Sequence, residues 1–221
     1  MTAIDPAKYV DAIYEVKRLD TLKQLIPAGG RKKAVDIGSG PGVITRILAE
    51  RGWVVTSIDT EPQNLVRAKA WADQTIHGDA NSVLPPYPPE SFDLAVALEI
   101  IEHMPIEEGE QMLANIRRVL KPGGRLLLST PNRYSLQGLK GYYWEEKIRR
   151  IGIWNAWDPT HIYIYSTPEI VRILRRQRFS IEHTVGYWYG KNGVLRLPFY
   201  ACSLFPINYV GFNTIITCTK V

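Results

Sequence analysis

The sequence predicts an α/β protein whose mostly parallel sheet carries helices on both faces, and three observations support that prediction. A short apolar run (Ala34, Val35, Ile37) ends in Gly38-Ser39-Gly40-Pro41-Gly42, and an amphipathic segment with Val43, Ile44, Ile47 and Leu48 follows at once. That is strand, tight turn, helix. A second strand, Trp53 to Ile58, ends in Asp59, an acid about twenty residues beyond the turn and at the tip of the neighbouring strand. From Ala34 to Thr130 strand and helix then alternate, as they do when a parallel sheet is covered on both sides.

Taken in order, residues 7 to 26 hold Tyr9, Val10, Ile13, Tyr14, Leu19, Leu22, Leu25 and Ile26 close to helical spacing, and Pro27 with Gly29-Gly30 ends that N-terminal helix (1–30). In the glycine turn the spacing is G-x-G-x-G. The third glycine comes one residue early for a dinucleotide fingerprint, and no Lys-Ser/Thr follows to make a P-loop. Glycines suit backbone that must pass close to a ligand, where a Cβ would clash. Asp59 is placed to bind a ribose diol, and Asp79, in the Gly78-Asp79-Ala80 that closes the strand Gln74 to His77, can meet an adenine amino group. Helices are expected near 42–51, 61–73 and 106–120. Pro85 to Pro89 reads as a stiff connector before strand four, Phe92 to Leu98.

After strand five, Leu126 to Thr130, comes a long excursion over 133–165 with Tyr134, Tyr142, Tyr143, Trp144, Trp154, Trp157, Tyr163 and Tyr165. A loop this long in a compact domain is usually functional. It leaves from the carboxyl end of strand five, so it reads as a substrate-side insertion. A helix at 168–177, a strand from Phe179 to Tyr187 and a last strand from Asn213 to Thr219 complete the pattern, with an apolar flap expected over 194–212.

Composition bounds the function. With 221 residues and 45% hydrophobic content, the chain suits one well-buried domain, 1–221. A formal charge of +5 permits a nucleic-acid partner but falls short of the basic stripe of a dedicated binder. Cys202 and Cys218 have no metal spacing and read as free thiols. The stretch Val194 to Ile216 is broken by Arg196, Pro198, Pro206, Asn208 and Asn213, so no transmembrane segment is expected, and with no signal-peptide pattern a cytoplasmic location is. Oligomeric state leaves no trace in the sequence.

The glycine turn, the acid ending strand two and the Asp ending strand three together resemble the class I S-adenosylmethionine (SAM) methyltransferases. Phe92-Asp93-Leu94-Ala95-Val96-Ala97-Leu98, Leu120-Lys121-Pro122-Gly123-Gly124 and Leu126 to Asn132 continue the resemblance in family order over residues 30 to 185. It implies a Rossmann-like, seven-stranded, mostly parallel sheet with the last strand antiparallel. It also implies SAM held by Asp36, Gly38, Gly40, Gly42, Asp59, Asp79, Ala80 and Leu98; the N-terminal helix suits either a lid over the cofactor, as in family members, or packing on the sheet edge.

The candidate chemistry follows strand four, in Leu98-Glu99-Ile100-Ile101-Glu102-His103. Spacings of three and four put side chains on one face of a helical turn. Two converging carboxylates repel unless a cation or proton lies between them, and with imidazole they make a divalent-metal set. A fourth candidate lies in Trp157-Asp158-Pro159-Thr160-His161. E-x-x-E-H with a later His resembles two groups, the O-methyltransferases of ubiquinone biosynthesis and the small-RNA 3′-terminal 2′-O-methyltransferases. That resemblance implies Glu99, Glu102, His103 and His161 as ligands of Mg²⁺ or another divalent cation. The same residues also suit a metal-free pocket in which His103 or Glu102 is a general base, and His161 equally suits a packing role. The expected activity is O-methylation of a small-molecule hydroxyl, phenolic, catechol-like or on a sugar. RNA and amine or lipid-headgroup acceptors are the alternatives.

Overall fold

The computed structural model describes residues 16–135, 138–139, 158–187 and 213–221. Nine residues of the expected N-terminal helix (7–15), most of the aromatic excursion and the 194–212 flap lie outside them. The described elements are, in order, α1 (Val16–Leu25), β1 (Lys33–Ile37), α2 (Val43–Glu50), β2 (Val54–Asp59), α3 (Pro62–Ala68), β3 (Gln74–His77) and α4 (Ala80–Val83). There follow β4 (Phe92–Leu98), a 3-10 turn (Ile101–His103), α5 (Ile106–Val119), β5 (Leu120–Pro131), α6 (Thr167–Arg176), β6 (Phe179–Tyr187) and β7 (Asn213–Lys220).

Period-two alternation sends successive side chains of β1 and β4 to opposite faces. Val35, Ile37, Ala95 and Ala97 join Leu113 and Ile116 of α5 and Leu174 of α6 in one apolar layer. Ala34, Leu94 and Val96 join Leu22, Ile44, Ile47 and Leu48 in the other. Both faces are therefore covered, and the central strands read as near-continuous apolar runs. Helix ends carry their own signals. Ser166 and Glu169 form a capping box at the start of α6, and α5 has Glu107 and Glu108 in its first turn and Arg117 and Arg118 in its last.

The sheet has seven strands in the order β3-β2-β1-β4-β5-β7-β6. β1 through β5 are parallel, while β7 runs antiparallel to both β5 and β6. The chain builds outward from β1 to β3, then crosses back to lay β4 on the other side of β1. That reversal opens a crevice at the carboxyl ends of β1 and β4, the place where open α/β sheets take ligands.

Two boundaries differ from expectation. β5 starts at Leu120 rather than Leu126, because Phe92 already pairs with Leu120 before the register jumps to Leu94 with Arg125. Lys121 reaches back from the resulting bulge, its Nζ 2.9 Å from each oxygen of Asp93. α3 ends at Ala68 instead of Asp73, whose carboxylate accepts the Val55 N–H at 2.8 Å and ties the connection to the foot of β2. No helix among the described residues is long and apolar enough to cross a membrane.

A candidate active site at the carboxyl edge of β1 and β4

Backbone conformation forces the glycine turn. Gly38, Gly40 and Gly42 sit at φ +66°, +52° and +86°, a region that costs an L-residue about 1–2 kcal/mol. A Cβ on Gly38 would lie 2.7 Å from Ile100 Cδ1, and one on Gly42 would lie 2.7 Å from Ala68 Cα. At Gly40 it would meet nothing within 4 Å. Gly38 and Gly42 thus serve close packing, while Gly40 leaves a bare backbone surface for a ligand to approach. Beside it the Ser39 hydroxyl is buried and makes no hydrogen bond among the described residues.

Asp59 clamps this turn. Its Oδ2 accepts the Gly40 N–H at 2.7 Å, and its Oδ1 accepts from the Glu61 N–H at 2.8 Å and the Asn64 side-chain amide at 3.1 Å. Oδ2 keeps a second lone pair for a ligand hydroxyl. Asp79 caps α4, Oδ1 accepting from Asn81 and Ser82 N–H and Oδ2 from the Ser82 hydroxyl at 2.6 Å. That hydroxyl bond, outweighing burial, holds its pKa below the usual carboxylate range. Ala80 follows, buried, at the first position of α4, and Leu98 is half-buried at the end of β4.

Asp36 departs from its expected place at a cofactor. It is buried, and its Oδ2 accepts from the Thr45 hydroxyl of α2 at 2.7 Å. The Thr45 oxygen also lies 2.8 Å from Ser57 Oγ. Thr45 gives its single proton to Asp36, so Ser57 donates to Thr45. Burial raises the Asp36 pKa to about 7; the Thr45 bond opposes this and the Asp59 charge adds to it. This carboxylate is spent inside the fold, between α2 and β2.

Glu99 is the second departure. The helical phase assumed for E-x-x-E-H breaks at once, because Glu99 stands at φ +52° and the helical turn begins only at Ile101. Its carboxylate turns toward β5 and β7, accepting from the Ser129 hydroxyl at 2.5 Å and the Asn213 amide at 2.7 Å. The cluster that does converge is Glu102, His103 and His161, each offering one donor atom within 4.8 Å of the others.

Segment 158–165 delivers His161 to that cluster. The Ile162 and Tyr163 N–H groups both donate to the Glu102 carbonyl, at 2.8 and 3.1 Å. The His103 and His161 rings meet edge to face, centroids 4.8 Å apart. The hydrogen-bond network assigns the His103 tautomer. Thr160 Oγ1 donates to Asp158 Oδ1 at 2.6 Å, so toward His103 Nδ1, 3.0 Å away, it must accept. The Thr160 carbonyl lies 3.3 Å from the same nitrogen. Nδ1 therefore carries the hydrogen and Nε2 the lone pair. Burial alone would raise the Asp158 pKa, but the Thr160 bonds and the neighbouring imidazoles pull it lower. Thr160 and Asp158 are functional positions with only a weak sequence signal, the Asp-Pro-Thr turn itself.

Two imidazole nitrogens and one buried carboxylate form a donor set suited to divalent first-row ions. An imidazole that gives its other N–H to a hydroxyl and a carbonyl has the orientation of a metal ligand. The residues present fit such an ion with three ligands, Glu99 excluded. Without one, His103 Nε2 keeps its lone pair.

A family model described as a methyltransferase domain matches residues 35–128. The mitochondrial ubiquinone biosynthesis O-methyltransferase of Schizosaccharomyces pombe is 33% identical over 170 residues, covering 72% of this chain and 59% of that protein. Its counterpart from Idiomarina loihiensis is 35% identical over 107 residues, 46% of this chain and 43% of that protein. The chain thus spans about half the length of the curated relatives it matches. Among solved structures, a SAM-dependent methyltransferase from Archaeoglobus fulgidus superposes with TM-score 0.71 at 18% identity, over 96% of this chain and 98% of that one. The 1,6-didemethyltoxoflavin-N1-methyltransferase of Burkholderia thailandensis, solved with S-adenosylhomocysteine, gives TM-score 0.59 at 18% identity, over 98% and 87%. These likenesses run over nearly the whole chain and concern the fold.

Proposed function

Since the chain carries a class I SAM-dependent methyltransferase domain and resembles the ubiquinone-biosynthesis O-methyltransferases, we propose that it methylates a hydroxyl of a small molecule, a phenol, catechol, quinone precursor or sugar. The observation that carries this reading is the convergence of Glu102, His103 and His161 in the crevice faced by the glycine turn. Ile100, which packs on Gly38, joins the two halves of the site.

SAM, when bound, supplies a methyl group already activated by its sulfonium. Gly40 offers backbone for its close approach, Asp59 a spare lone pair for the ribose hydroxyls, and Asp79 an acceptor for the adenine amino group. The site's remaining work is to align the acceptor oxygen and remove its proton. A C–O bond forms as the C–S bond breaks, its electron pair stays on sulfur, and the hydroxyl proton passes to His103 Nε2 where no ion holds that nitrogen, or to solvent where one does. Asp158 and Thr160 set the Nδ1–H tautomer and fix the ring. A divalent ion held by Glu102, His103 and His161 would lower the pKa of the acceptor hydroxyl. With two nitrogens in the set, Zn²⁺, Mn²⁺ or Fe²⁺ suits it better than Mg²⁺.

The test is transfer of labelled methyl from SAM into small-molecule, lipid and RNA fractions, with and without EDTA. Label in small molecules that EDTA abolishes and a divalent ion restores is the expected result. Label that ignores EDTA would sink the metal and leave His103 as the base. Label confined to RNA or lipid would overturn the acceptor class.

A further inference from the structure

Asp79 on the donor side and Glu102, His103 and His161 on the acceptor side sit on separate elements, yet in-line transfer needs both in one frame. A polar connection joins them. Asn81 lies in α4, two residues after Asp79, and its N–H donates to Asp79 Oδ1 at 2.9 Å. Its side-chain amide leaves α4 for α5. Nδ2 donates to the Glu108 carbonyl at 3.0 Å, and Oδ1 accepts from Asn115 Nδ2 at 3.0 Å. A carbonyl can only accept, so the network itself assigns which end of the Asn81 amide faces Glu108. Asn115 is 7% exposed, and its own Oδ1 accepts from Gln111 Nε2 at 3.3 Å.

The Glu108 end leads to the reaction cluster. Glu108 lies in the first turn of α5, which the Gly109 N–H closes on the Pro105 carbonyl at 2.9 Å. A Cβ on Gly109 would lie 3.0 Å from Ile101 Cγ1 and 2.8 Å from the Tyr165 hydroxyl. This turn therefore rests on two buried residues that deliver the cluster. Ile101 opens the 3-10 turn that carries Glu102 and His103, and Tyr165 ends the segment that brings in His161. Elsewhere Ala80 and Leu84 share one apolar cluster with Met112, Leu113 and Ile116 of α5. Apolar contact has no direction and lets helices slide, whereas two hydrogen bonds to one amide fix distance and angle.

We infer that Asn81 is a positioning residue: it locks the donor-side acid Asp79 to the first turn of α5 and so holds Glu102, His103 and His161 at a fixed offset from the methyl donor. The inference rests on the donor and acceptor placements proposed above, but the link can be measured with the donor's product alone. A displacement of about 1 Å between reacting groups costs on the order of 100-fold in rate, so a slack link matters even where the fold is unharmed.

The experiment follows amide hydrogen exchange with and without S-adenosylhomocysteine in the unaltered chain, in Asn81→Leu and in Asn115→Leu. Leu is close to Asn in size, and Asn81→Leu keeps the backbone N–H that Asp79 accepts, so all three proteins should bind S-adenosylhomocysteine within about threefold by calorimetry. In the unaltered chain the ligand should slow exchange over 106–112 by at least about fivefold, the lower range of coupling between two sites. In both variants that slowing should shrink below about twofold, while slowing over 79–84 persists. A role in stability alone would speed exchange equally with and without ligand and leave their ratio unmoved. An unmoved ratio in both variants, or no slowing of 106–112 in the unaltered chain, would overturn the inference. So would a loss of ligand affinity beyond about tenfold in Asn81→Leu, which would confine Asn81 to the donor site. Methyl transfer at saturating SAM, into whichever extract fraction takes label, should fall at least about tenfold in Asn81→Leu with KM for SAM moved less than about threefold. No transfer into any fraction by the unaltered chain, with the Asn81-dependent slowing intact, would sustain the link and overturn the proposed chemistry instead.

Discussion

Replacing Asp36 by Asn should make the protein more resistant to unfolding at alkaline pH than at acid pH, relative to the unaltered chain. Asp36 titrates near 3.8 when free and near 7 in the fold, where burial penalises its charge. The folded state therefore binds the proton more tightly. The stability this group contributes is fully present below about pH 4 and is lost as pH rises to 7. At 1.36 kcal/mol per pKa unit the full loss is about 4 kcal/mol, and between pH 5 and pH 8 it is about 3 kcal/mol. That is a large share of the ~5–15 kcal/mol that holds a typical domain together. Asn cannot ionise. Its amide still accepts from Thr45 through Oδ1, and any fixed cost of its extra N–H cancels when the difference between the two proteins is followed with pH. Urea unfolding of both at pH 5, 6, 7 and 8 measures that difference. A gap that stays constant across the range would refute the argument, because it would mean that Asp36 is ionised and comfortable in the fold.

Three further outcomes follow from the site. Gly42→Ala adds a methyl 2.7 Å from the Ala68 backbone at φ +86° and should cost about 2–4 kcal/mol by chemical denaturation; a loss under 0.5 kcal/mol would show that α3 shifts freely. Glu102→Gln should weaken divalent-ion binding by about 100-fold or more, measured by equilibrium dialysis, whereas Glu99→Gln should change it by less than about threefold; equal losses would return Glu99 to the ligand set. Thr160→Val should lower kcat/KM by about tenfold and move the His103 imidazole ¹⁵N signals toward a tautomer mixture. Thr160→Ser should restore both, and unmoved ¹⁵N signals in the Val variant would contradict the tautomer assignment.

Most of the sheet was legible because its signals are local. Each of Ala34–Ile37, Val54–Asp59 and Phe92–Leu98 carries its own strand pattern, and Gly42 announces a positive φ that no side chain would suit. Asp59 and Asp79 stand out in the sequence because they follow strands at the edge where the crevice opens. Glu99 was misplaced for a geometrical reason. E-x-x-E-H assumes that helix begins at once, but a single residue in the left-handed region resets the direction of the chain. Its partners, Ser129 and Asn213, are 30 and 114 residues away and invisible to any spacing rule. The Asp36 bond to Thr45 was not legible, because a sequence motif says which residues gather at a turn, not which side chains point under it.

The bond from Asn213 to Glu99 has a consequence for how the site is assembled. β1 to β4 can pair as the chain emerges during synthesis, and the glycine turn needs only β2 and α3 to close around it. Glu99 acquires its second tether only when β7 slots between β5 and β6, 114 residues later. A nascent chain long enough to close the glycine turn still lacks that restraint on the tip of β4. The turn and the β4 tip therefore mature at different moments of synthesis, the first from local contacts and the second from the late strand.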